Sequence, residues 1–77
     1  MARKYTITWS RWLYLHTSHK GTFAELKRKF AETLRRGHEL NARICDNPRT
    51  IHELVKALQD CLRAERRTNE FYYLEND

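Results

Sequence analysis

The stretch that most restricts what this chain can fold into begins at Thr50. There Ile51, Leu54, Val55, Leu58, Cys61 and Leu62 recur at helical spacing. At roughly 100° per residue they fill a single sector about 120° wide. A segment patterned in this way is an amphipathic helix, and it is stable only if a second apolar surface covers that sector. Its start is marked by Thr50-Ile51-His52-Glu53, a capping box in which hydroxyl and carboxylate satisfy helix amides that have no intrahelical partner. Asp46-Asn47-Pro48-Arg49, just before it, is a turn by composition. The apolar pattern fails at Glu65, so the helix should end near there.

A candidate partner surface lies upstream. Thr22-Phe23-Ala24-Glu25 is another capping box, which places a helix start at Thr22. Phe23, Leu26, Phe30 and Leu34 then form an apolar seam whose phase continues through Gly37, Asn41 and Ile44. Two endings compete. Arg35-Arg36-Gly37 has the form of a helix C-terminus with a glycine cap, which would leave Leu40, Ala42 and Ile44 as a short strand. Alternatively one helix runs to about Cys45 and tolerates Gly37 at a cost of roughly 1 kcal/mol. The long helix is favoured, because Glu, Asn and Ala are poor strand residues.

From Lys4 to Leu15 the chain alternates, with Tyr5, Ile7, Trp9, Leu13 and Leu15 on one parity. This predicts strand, either one bent strand or two, with Arg11 marking a bulge or hairpin bend. Thr17–Gly21 reads as a loop, and Phe71-Tyr72-Tyr73-Leu74 has strand chemistry. The expected fold is therefore α+β: a small antiparallel sheet of two or three strands, from the N-terminal region and the C-terminal strand, packed on a two-helix hairpin. A chain of 77 residues buries only roughly 60% of the surface its unfolded form exposes. That predicts one domain over residues 1–77, with one modest core and no deep substrate cavity.

Charge narrows the partners. Bases number 15 against 10 acids, a formal charge of +5, and ten of the bases are arginine. The guanidinium is the group that contacts phosphate and carboxylate in a planar, bidentate way. Residues 1–49 hold eleven bases and four acids, whereas residues 50–77 hold four bases and six acids. Such a gradient steers anionic partners toward one side of the molecule. No apolar run approaches the roughly 18 residues of a membrane helix, so no membrane partner is expected. Arg11 interrupts any signal-peptide core, and the beginning reads as folded sequence. Cys45 and Cys61 are too few for a disulfide framework and sit among apolar neighbours, which predicts reduced, buried thiols and a cytoplasmic setting.

The residues of catalysis are not assembled in any recognisable pattern. Neither cysteine has the electropositive, exposed setting that lowers a thiol pKa. His16, His19, His38 and His52 show no metal-ligand spacing, and there is no C-x-x-C. Glu25 and Glu32 each have a base four residues on, the ordinary exposed helix pair. Gly21 and Gly37 make no phosphate loop. No enzyme, metal or cofactor is expected.

What remains is a set of bases interleaved with aromatics. Arg28 and Arg35 share a flank of the first helix, and Lys56, Arg63 and Arg67 form a stripe on the second with His52 and Gln59 near its edge. Arg3, Lys4, Arg11 and Lys20 lie near Trp12 and Tyr14. Such groups can hold phosphates while rings stack on bases. The expected function is a non-enzymatic basic module that binds nucleic acid or a nucleoprotein with weak sequence specificity. No helix-turn-helix, zinc-finger or RNA-recognition signature is present. A second expectation is a protein-binding inhibitor or adaptor, of the kind compact phage and plasmid genomes encode, acting on a target with an acidic surface. It draws on Trp12, Tyr14, Tyr72 and Tyr73 as interface residue types. An exposed edge strand would leave room for a homodimer.

Overall fold

A computed structural model of the chain describes residues 3–11, 15–67 and 69–76. In chain order they form β1 (Lys4–Arg11), β2 (Leu15–Thr22), α1 (Phe23–Lys29), α2 (Ala31–Leu40), α3 (Ile51–Ala64) and β3 (Asn69–Asn76). The three strands make one antiparallel sheet in the order β2-β1-β3. The fold is α+β, with three helices and a sheet whose C-terminal strand lies beside the first.

The alternation in β1 sorts its side chains between two faces. Ile7 is completely buried, and Tyr5 packs against the same core. Ile7 stands opposite His19 on β2 and Tyr73 on β3, while Trp9 stands opposite Thr17 and Phe71. These odd-numbered positions therefore face the helices. On the other face the Thr8 and Ser18 hydroxyls, opposite each other in the register, hydrogen-bond at 2.9 Å. Lys20, Tyr72 and Leu74 on that face are exposed.

Two strands stand where one bent strand or two was expected: β1 stops at Arg11, and β2 resumes at Leu15. Residues 12–14 lie outside the described residues, and Trp12 and Tyr14 with them. The segment Thr17–Gly21 is strand and not loop. Its polar side chains are tolerated because β2 is an edge strand, and its strand state comes from register with β1 more than from its own propensity.

Thr22 caps α1 as the sequence predicts. Its hydroxyl accepts the Glu25 amide at 3.2 Å, and the Glu25 carboxylate accepts the Thr22 amide at 3.1 Å. Donation from the Thr22 amide, and then from the Thr22 hydroxyl, favours the ionised carboxylate and pulls the Glu25 pKa below its usual value, with Lys4 and Arg28 adding to the effect. The expected single helix is interrupted at Phe30 (φ −98°, ψ 11°), whose buried ring stands edge-on to both His19 and Phe71. α2 then carries Gly37 in its interior, as the long-helix reading requires, but ends at Leu40 and not near Cys45. The cause is Asn41, which is extended (φ −149°, ψ 105°) and accepts the Arg43 amide on its side chain at 3.0 Å. That local bond replaces continuation of the helix. Ile44 nonetheless reaches the core.

α3 is the helix of the apolar sector, and Leu54, Val55, Leu58, Cys61 and Leu62 are all buried. The Thr50 hydroxyl accepts the Glu53 amide at 3.1 Å. The Glu53 carboxylate does not return to Thr50, as the expected capping box would have it, but accepts the Arg49 amide at 2.8 Å. At the other end Arg66 takes a left-handed φ of 59°. The amides of Arg66 and Arg67 return to the carbonyls of Arg63 and Leu62 at 3.0 and 2.9 Å, the Schellman arrangement that closes a helix. Cys61 is buried as expected, whereas Cys45 is exposed, because it lies beyond the end of α2. No helix among the described residues is long and apolar enough to cross a membrane.

Candidate functional site

β3 is an edge strand, and α3 packs beside it. Between them runs a groove of about 490 Å³ lined by His52, Val55, Lys56, Gln59, Asp60 and Arg63 from α3 and by Phe71, Tyr72 and Tyr73 from β3. Spacing along α3 explains the helix side. Val55 belongs to the buried sector, while His52, Lys56, Gln59 and Arg63 follow at three- and four-residue steps along its flank. Lys56 and Arg63 are seven residues apart, about 10.5 Å at roughly 1.5 Å rise per residue.

The strand side is held by specific contacts. The Phe71 amide donates to Gln59 Oε1 at 2.9 Å, which ties β3 to α3 at mid-groove. Tyr73 stands edge-on to His52, with ring centroids 6.3 Å apart. The Tyr72 hydroxyl donates to the Glu70 carboxylate, a contact that raises the phenol pKa above its usual value. Tyr73 is 37% exposed, so its ring has surface to offer a ligand in the groove, whereas the 54% exposed Tyr72 ring projects with Thr8 from the opposite face of the sheet. Arg63 reaches Asp60 at 3.6 Å, and Lys56 pairs with no carboxylate among the described residues.

Of the basic sequence candidates among the described residues, the structure brings only Lys56 and Arg63 into this groove. Arg3 pairs with Glu75, and Arg35 lies between Glu32 at 3.7 Å and Glu39 at 3.2 Å. Arg67 meets Glu65 at 3.6 Å beside a smaller hollow lined by Trp9, Phe30 and Phe71. Lys4 and Lys20 are exposed on the sheet, on β1 and β2, and Arg28 is exposed on α1. Arg28 and Arg35 do not share one helix, because Phe30 separates α1 from α2. The Arg11 side chain, like Trp12 and Tyr14, lies outside the described residues. As a site candidate Tyr73 enters the sequence reading only as an interface residue type, outside the basic set. Its place beside Lys56 and Arg63 follows from the pairing of β3 with β1.

In a second hollow the polar groups pair with one another. A hollow of about 390 Å³ against α2 is lined by Lys27, Arg35, His38, Glu39 and Asp46. There Arg35 meets Glu39, His38 Nε2 lies 3.8 Å from Asp46, and Lys27 donates to Asn47. His19 packs on the Phe30 ring, and burial, with Lys29 adding to it, lowers its pKa. Burial pushes the Cys61 thiol up to about 11, with Glu65 and Asp60 adding to the effect, the reverse of what a nucleophile needs. Among the described residues no three metal-ligating side chains converge.

No protein family, curated protein or solved structure matches the chain. Function must therefore be argued from the chemistry of the groove itself.

Proposed function

We propose that this chain is a non-enzymatic module that binds nucleic acid, alone or in a nucleoprotein, through the groove between α3 and β3. The observation that carries this reading is the juxtaposition of Lys56 and Arg63 on one wall with the Tyr73 ring on the other. The cations hold phosphates and the ring stacks on a base, a combination that tolerates many sequences because every base has a π-face. Arg63 is available for this role, since its exposed pair with Asp60 is of the kind worth roughly 0–1 kcal/mol. The remaining positive charge, spread over the sheet and α1, contributes long-range attraction.

The test is fluorescence anisotropy of a labelled oligonucleotide across a salt series. Binding weakens with salt, with log K falling by roughly 0.7 to 0.9 for each phosphate contact per unit log salt. The Lys56→Gln/Arg63→Gln variant should flatten that slope by about two contacts and weaken binding to all sequences alike. Affinity and slope unchanged in that variant would overturn the proposal. A second reading, a protein-binding inhibitor or adaptor, is favoured by one observation. Tyr72, Tyr73 and Leu74 put three exposed large hydrophobics together on β3. Its signature would be one protein recovered stoichiometrically from lysate after nuclease treatment.

A further inference from the structure

We infer that the ligand of the α3/β3 groove is single-stranded nucleic acid and not duplex, an inference that rests on the nucleic-acid reading above. In a duplex the bases are stacked on one another and show only their edges in the grooves, so a protein ring finds no face to stack on. The Tyr73 ring lines the groove wall beside His52 and keeps exposed surface. That surface is useful only to bases splayed out of a helix.

The helix wall leads to the same conclusion. If α3 entered a duplex groove, its exposed side would bring Glu53 and Asp60 along with Lys56 and Arg63. The duplex backbone would meet as many carboxylates as cations, an arrangement that cancels the electrostatic gain on which duplex binding depends. A single strand needs less. In the groove it meets Lys56 and Arg63 with Asp60 but not Glu53, two cations against one carboxylate, while its bases turn toward β3. A groove of about 490 Å³ lies in the range of small-ligand sites and matches a few unpaired nucleotides in scale, not a double helix.

The experiment compares labelled single-stranded DNA, single-stranded RNA and duplex DNA of one sequence by anisotropy at one low salt concentration, using the full chain. At least one single strand should bind about tenfold or more tightly than the duplex. Tyr73→Leu, which keeps an apolar group beside His52, should cost single-strand affinity about tenfold and leave duplex affinity unchanged, whereas Tyr72→Leu, on the opposite face of the sheet, should change neither. Circular dichroism melts establish that both variants are folded. Duplex binding equal to or tighter than both single strands overturns the inference while leaving the parent proposal standing, if Lys56 and Arg63 still matter. Single-strand affinity indifferent to Tyr73→Leu also overturns it. No binding to any of the three overturns the parent proposal and the inference together.

Discussion

Gly37 on α2 lies so close to α3 that a Cβ built on it would fall 2.0 Å from Cys61 Sγ and 2.6 Å from Cys61 Cβ. The two helices meet at this point, and only a glycine lets them. In an exposed helix, Gly→Ala would stabilise by roughly 1 kcal/mol through propensity. Here the added methyl meets the Cys61 Cα at 3.0 Å as well, so a rotamer change at Cys61 cannot clear it. Gly37→Ala should therefore lower stability by about 1–3 kcal/mol through overpacking. Urea unfolding followed by circular dichroism would measure it, and a variant as stable as the parent would show that α2 and α3 do not pack this tightly.

The same burial divides the two thiols. Cys45 is exposed, whereas Cys61 is buried and its pKa is pushed up to about 11. At neutral pH an alkylating reagent should modify one cysteine per folded chain and two per unfolded chain, counted by mass spectrometry. A thiol whose folded pKa exceeds its unfolded value near 9.0 contributes stability that is fully present below pH 9 and lost as pH rises toward 11. The decline of the urea midpoint between pH 9 and 11 should be shallower in Cys61→Ala than in the parent.

The close of α3 is built from a residue ill suited to it. Arg66 occupies the left-handed position of the Schellman turn, at φ 59°. A side chain there costs roughly 1–2 kcal/mol, and glycine avoids that cost but loses more freedom on folding. The balance predicts that Arg66→Gly stabilises by about 0.5–1 kcal/mol, visible as a rise in Tm. A lower Tm would mean that the Arg66 side chain contributes contacts that outweigh the strain.

Which parts of this molecule its sequence discloses follows from how local their causes are. The Thr22 cap and the apolar sector of α3 depend on residues within a few positions of one another, and both were legible. β2 was not, because Thr17-Ser18-His19-Lys20-Gly21 has turn-like composition and becomes strand only by pairing with β1. The end of α2 was misplaced because the apolar phase continues to Ile44, while the Asn41 side chain, one short bond, stops the helix first. At the candidate site the Lys56 and Arg63 stripe was visible as a helix face. Arg3 and Arg35 were given equal weight, since a charge count does not reveal that Glu75, Glu32 and Glu39 lie beside them. Tyr73 joins the groove through tertiary pairing alone.

Gln59 has a role that its position on α3 makes testable. β3 is an edge strand with the aromatic run Phe71-Tyr72-Tyr73, and such an edge pairs readily with another chain unless something blocks it. Gln59 Oε1 accepts the outward amide of Phe71 at 2.9 Å and so occupies one rung of the ladder that a second strand would use. Gln59→Ala removes this acceptor. The loss of the bond should cost about 1 kcal/mol in the urea midpoint. The freed amide, beside exposed Tyr73 and Leu74, should also make the variant self-associate more strongly than the parent. Light scattering across a concentration series would report the second effect independently of the first. A variant that loses stability yet scatters like the parent would confine Gln59 to tying β3 onto α3 and remove it as a guard of the sheet edge.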